Sequence, residues 1–171
     1  LKVVADAQIS PDGSTVVFAC GDGFVESGSG RTALPKTNIH AVPFDGGKAT
    51  QLTTGPRADA TPRWSPDGQC MAFLSDREKD GQRQVFLLPA DGGEARKLTD
   101  VSGDIPSPRS LNPIKWLRDG AKLAFLKVDA ESEEEKTRRE AGADAIEHEK
   151  NHRFQRVWTV GADGGEPECV S

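Results

Sequence analysis

Trp64-Ser65-Pro66-Asp67-Gly68-Gln69-Cys70-Met71-Ala72-Phe73 is a turn followed by an apolar run. Pro presets φ for the first corner of a turn, Asp hydrogen-bonds to the backbone ahead of it, and Gly takes φ > 0 at no steric cost. Pro66-Asp67-Gly68 is therefore a hairpin turn, and the run behind it a strand. The stretch has two further copies: Ile9-Ser10-Pro11-Asp12-Gly13-Ser14-Thr15-Val16-Val17-Phe18 and Trp116-Leu117-Arg118-Asp119-Gly120-Ala121-Lys122-Leu123-Ala124-Phe125. Their spacings of 55 and 52 residues mark an array of repeated units.

A second element recurs between these copies, as Ile39-His40-Ala41-Val42-Pro43-Phe44-Asp45-Gly46-Gly47, as Val85-Phe86-Leu87-Leu88-Pro89-Ala90-Asp91-Gly92-Gly93, and as Val157-Trp158-Thr159-Val160-Gly161-Ala162-Asp163-Gly164-Gly165. Asp-Gly between two apolar runs is another hairpin signal. Two hairpins per unit make four strands, expected in the second unit over 61–64, 69–75, 84–89 and 95–98. Four strands are one propeller blade. The expected fold is all-β, a partial β-propeller of about three four-stranded blades with WD-like repeats. The blades are placed at about 5–53, 58–99 and 112–171, with insertions at 21–36 and 129–156. Phe18, Phe73 and Phe125 are expected in the cores between blades. The charged run 131–140 is expected to form a short solvated helix, acidic at its start and basic at its end.

Composition narrows the function classes. Lys plus Arg total 22 against 27 Asp plus Glu, a net charge of -5 with the signs interspersed, which gives phosphate binding no support. Most aromatic residues lie in apolar runs and read as core, not as a base-stacking platform. No apolar run reaches the roughly 20 residues that span a bilayer. Nucleic acid and membrane are therefore not expected as partners. Cys20, Cys70 and Cys169 are odd in number and widely spaced, so they read as small buried thiols without a disulfide framework.

Three motifs compete with this reading. His148-Glu149-Lys150-Asn151-His152 fits the H-E-x-x-H zinc pattern, in which two histidines one helical turn apart share a metal. Its flanks lack the apolar face of a buried helix, and only Glu166 and Glu168, near an expected turn, follow as third ligands. The pair is read as a solvated or strand-edge feature, so no metal ligand is assigned. Gly21-Asp22-Gly23 and Gly28-Ser29-Gly30 lack the Lys-Ser/Thr of a phosphate loop, and the Asp-Gly pairs lack calcium-loop spacing. His40 has no Ser or acid near it in sequence that would make a triad. No cofactor is expected.

The run Trp64–Gly68, Ala72-Phe73-Leu74-Ser75-Asp76-Arg77, Gln84-Val85-Phe86 and Asp91-Gly92-Gly93-Glu94-Ala95-Arg96-Lys97-Leu98-Thr99 resembles the propeller repeat of the prolyl oligopeptidase family, in its acylaminoacyl-peptidase and dipeptidyl-peptidase-like branch. The stretch 129–158, acidic and closing on Arg153-Phe154-Gln155-Arg156-Val157-Trp158, resembles the third-blade insertion of that branch. The blade signature is shared with TolB-type propellers. Leu117-Arg118 in place of Ser-Pro, and Ile9 in place of Trp, depart from the pattern.

The peptidase resemblance implies a parent serine hydrolase in which the propeller precedes an α/β-hydrolase domain and restricts a Ser-Asp-His triad to short peptides. That Ser sits on a G-x-S-x-G elbow, and no such motif occurs in this sequence. The chain is thus expected to be an N-terminal piece of a longer protein, without catalytic residues of its own and with the triad beyond Ser171. The implied partners are the hydrolase domain of the same parent chain and short peptide substrates, and a homo-oligomer is compatible with the sequence. The branch implies a cytoplasmic protein, although the start at Leu1 is also compatible with a leader and a periplasmic or secreted one. The alternative is a TolB-like protein-binding module without enzymatic activity.

Overall fold

Each turn read above sits between two paired strands in the computed structural model, which describes residues 2–22, 36–55, 57–79, 81–106, 112–130, 137 and 155–170. The first sheet holds β1 (Lys2–Ile9), β2 (Thr15–Asp22), β3 (Thr37–Pro43) and β4 (Thr50–Gln51). The second holds β5 (Asp59–Trp64), β6 (Cys70–Ser75), β7 (Gln84–Pro89) and β8 (Arg96–Lys97). The third holds β9 (Ile114–Trp116), β10 (Lys122–Val128), β11 (Gln155–Gly161) and β12 (Gly164–Cys169). All pairings are antiparallel between sequential neighbours, so each sheet is a four-stranded meander, one blade of a propeller. The expected helix over 131–140 lies outside the described residues, Thr137 excepted, as does most of both insertions.

Alternation along the strands decides how the blades stack. In β6, Met71 and Phe73 face blade 1 and join Val17, Ala19 and Ile39, together with Phe86 and Leu88 of β7. The intervening Ala72 and Leu74 face blade 3 and join Leu123, Phe125 and Val160, with Val85 and Leu87. Successive residues of a strand point to opposite faces, so β6 is apolar from Cys70 to Leu74 because both of its faces are covered. β10 instead alternates exposed or half-buried with buried residues, because blade 2 covers one face only. Phe73 and Phe125 are buried between blades as expected. Phe18 occupies the same repeat position on the other face of blade 1, where no described blade covers it; it is half-buried and stacks on His40 at 5.7 Å between ring centroids.

The turns show the predicted chemistry. Gly13, Gly68 and Gly120 have φ of 76°, 71° and 71°. A Cβ on Gly68 would lie 3.6 Å from Pro11, and one on Gly120 3.5 Å from Pro66, so each proline rests against the glycine turn of the next blade. Asp12 accepts hydrogen bonds from the Ser10 hydroxyl at 2.5 Å, from the Ser14 amide at 3.0 Å and from the Ser14 hydroxyl. Led by the Ser10 bond, these hold its carboxyl at about 2, against the usual 3.8. A folded value below the unfolded one stabilises fully above the unfolded pKa, and the contribution disappears as pH falls through the folded value. Asp12→Asn is therefore expected to lower stability at neutral pH and to flatten its fall between about pH 4 and 2. Urea unfolding of both proteins across that range checks this.

The fourth strand of the second blade is shorter than the 95–98 expected, and that of the first is equally short, two residues each. Threonines complete them: Thr53 Oγ1 accepts from the Ile39 amide and Thr99 Oγ1 from the Val85 amide, both at 2.9 Å. Both threonines are buried, so each hydroxyl replaces a backbone partner that the short ladder lacks. Two of the three cysteines depart from the expected burial. Cys20 is buried, Cys70 is half-buried, and Cys169 is exposed because it ends β12, an edge strand.

Candidate functional site

The first strand of each blade lies beside the first strand of the next, β1 against β5 and β5 against β9. In a propeller these strands edge the central axis, so polar groups concentrated there are the place to look for function. Arg63 of β5 is the centre of such a group. It is 8% exposed, and its Nη1 donates to Asp6 Oδ1 of β1 at 2.8 Å and to the Pro62 carbonyl at 2.7 Å. Nε donates to Asn112 Oδ1, two residues before β9, at 2.8 Å, and Nη2 donates to the same oxygen. The Arg63 carbonyl accepts from Trp116 Nε1 of β9 at 2.9 Å. One residue thus ties three blades together.

The backbone beside it is strained in a repeated way. Asp6 and Thr61 have φ of 56° and 57° and occupy the same position, three residues before Ile9 and Trp64. Both fall inside a register shift of the first pair of their sheet. For β-branched Thr61 such a φ is an outlier that the surrounding structure must enforce. The third blade has Pro113 at this position; its ring forbids positive φ, and β9 begins only after it. Asp6 Oδ2 and Thr61 Oγ1 are buried without a hydrogen-bond partner among the described residues.

A second buried charge supports the first. Asp59, 1% exposed, receives two hydrogen bonds from Arg77 Nη2, at 2.9 and 3.0 Å. The Arg77 guanidinium also lies over the Phe73 and Phe86 rings, at 5.2 and 4.8 Å from their centroids. Stacking and paired hydrogen bonds together suit arginine and not lysine. At the end of the stack where chain passes between blades, Arg83 Nη1 donates to Asp104 Oδ2 at 2.9 Å, and Asp104 bridges to Val128 of β10.

None of these groups was singled out by the motif reading, and none forms a nucleophile with a base. His40, the one histidine among the described residues, has Nδ1 3.2 Å from the Asn38 carbonyl and its ring on Phe18. His148 and His152 lie outside the described residues, as do Gly23 and Gly28-Ser29-Gly30. Glu166 and Glu168 lie exposed on β12, with Glu168 Oε2 3.4 Å from Lys122 Nζ. The described residues contain no group of three or more His, Cys, Asp or Glu able to hold a metal ion. What the site does is join blades.

No protein-family model matches the chain. Over 144 residues, 84% of its length, it is 32% identical to the uncharacterized peptidase YuxL of Bacillus subtilis, and it spans 20% of that relative. It superposes on Pyrococcus horikoshii acylaminoacyl peptidase with a TM-score of 0.64 and 16% identity, covering all of this chain and 24% of that one. On TolB from Acinetobacter baumannii the TM-score is 0.63 at 17% identity, covering 97% of this chain and 32% of that one. Both superpositions confirm the propeller architecture.

Proposed function

Because this chain is a β-propeller segment of the prolyl oligopeptidase-family kind, we propose that it is the non-catalytic, gating and docking region of a longer serine hydrolase that cleaves short peptides, acylaminoacyl-peptidase-like in its action. The observation that carries this reading is the 32% identity to a peptidase across 84% of the chain. Two further points support it: the sequence lacks a nucleophile elbow, and the described blades are joined through Arg63, which is buried and pairs with the half-buried Asp6 of the neighbouring blade. In this proposal a hydrolase domain of the same cytoplasmic parent chain supplies Ser, His and Asp, with His as general base and then acid. The propeller's part is to limit what reaches them.

The full-length parent provides the test. It is expected to react with a fluorophosphonate probe, to release p-nitroaniline from acylaminoacyl or dipeptidyl anilides, and to spare folded proteins. Protein that takes up no probe and cleaves no anilide would instead fit the TolB-like alternative, whose fold matches this chain equally well.

A further inference from the structure

A cleft of about 530 Å³ opens between blades 2 and 3, at the end of the stack that carries the turns. Its floor is apolar, with Leu87 and Trp116 only 4% and 8% exposed and Ala162 alongside. Its rim is acidic: Asp67, Glu94, Asp119 and Asp163 stand against one base, Arg96. Arg96 already donates to the Ala162 carbonyl. Asp67 accepts from the Ser65 hydroxyl at 2.6 Å and the Gln69 amide at 3.0 Å, and Asp119 accepts from the Ala121 amide at 3.0 Å. Each bond uses Oδ1 and leaves Oδ2 without a partner among the described residues. The Ser65 bond, with that of Gln69, also keeps the Asp67 carboxyl below its usual range.

The repeat does not impose this charge. After the Asp-Gly-Gly turn of blade 1 stand Lys48 and Thr50, where blade 2 has Glu94 and Arg96. The neighbouring seam therefore carries a cation where this one carries an acid.

We propose that the cleft binds a short peptide through a lysine or arginine side chain. Its aliphatic stem lies along Pro89, Ala121 and Ala162, and its head sits among the carboxylates of Glu94, Asp119 and Asp163. Long basic side chains have this divided character, an apolar stem with a charged tip. The volume lies within the range of small-ligand sites. The inference stands apart from the peptidase reading, since it concerns binding at a seam between blades and not cleavage.

Fluorescence anisotropy of labelled Ala-Arg-Ala-Arg-Ala and Ala-Gln-Ala-Gln-Ala, titrated with the full-length protein, tests it. Prior treatment with fluorophosphonate removes capture at any hydrolase serine from the signal. The arginine peptide is expected to bind about tenfold or more tightly than the glutamine peptide, and more weakly as salt rises. The double variant Glu94→Gln/Asp163→Asn, altered only at exposed side chains, should keep its melting temperature and lose about tenfold in affinity. Lys48→Gln in the neighbouring seam should leave affinity unchanged. Equal binding of the two peptides, an affinity the double variant does not move, or no saturation at millimolar peptide would each overturn the proposal.

Discussion

Arg63→Ala is expected to destabilise the protein by about 3–5 kcal/mol, the range for breaking a buried ion pair by removing one partner. The loss has identifiable parts. Asp6 Oδ1 loses its cation while Oδ2 is already without a partner, so a carboxylate 23% exposed is left with neither oxygen paired. Asn112 Oδ1 loses both of its donors, and the ties to β1 and to the approach to β9 go together. Arg63→Lys should recover only part of the loss, because one ammonium cannot reproduce a planar fork aimed at two blades. Arg63→Met combined with Asp6→Asn should be milder than Arg63→Met alone, since it removes both charges, and Asn tolerates the left-handed backbone that position 6 requires. Urea unfolding midpoints of the four variants decide the matter. A loss below about 1 kcal/mol for Arg63→Ala would mean that the pair behaves as a surface ion pair.

Phe73→Ala should cost a similar amount, about 3–5 kcal/mol, while Phe18→Ala at the same repeat position should cost less than half of that. Phe73 is fully buried in the seam between blades 1 and 2 and also lies under the Arg77 guanidinium. Its removal opens a cavity and loosens the arginine that pairs with Asp59. Phe18 is half-buried, with His40 as its stacking partner. The comparison is best made first in the 171-residue chain and then in the full-length parent. Equal losses for the two variants in the parent would show that another blade covers Phe18 there. A persisting difference would show that this face stays open.

The turns and the burial of the second strands between blades were legible in the sequence because each rests on a local cause. Pro66, Asp67 and Gly68 each have their own backbone reason to be where they are, and the unbroken apolar run of β6 could only be a strand covered on both faces. Arg63 was not legible. It is a single cation in a polar-looking strand, and Asp6 and Asn112 lie 57 and 49 residues away in sequence, so no spacing rule connects them. The strain at Thr61 was hidden for the opposite reason: a β-branched residue in a strand predicts extended backbone. Comparing it with Asp6, a type that tolerates positive φ, and with Pro113, a type that forbids it, shows that one position is solved differently in each blade. The cleft between blades 2 and 3 was half visible. The exchange of Lys48 for Glu94 can be read from aligned turns, but the apolar floor beneath that acid exists only once two blades are set side by side.

The contact of each proline with the next blade's glycine gives the stack a polarity, like roof tiles overlapped in one direction. Blade 2 has both halves of the joint, Pro66 for its successor and Gly68 for its predecessor. Blade 3 has Gly120 but carries Arg118 in place of proline. It can receive a neighbour's overlap and cannot pass the same one on, so this form of the joint stops at blade 3.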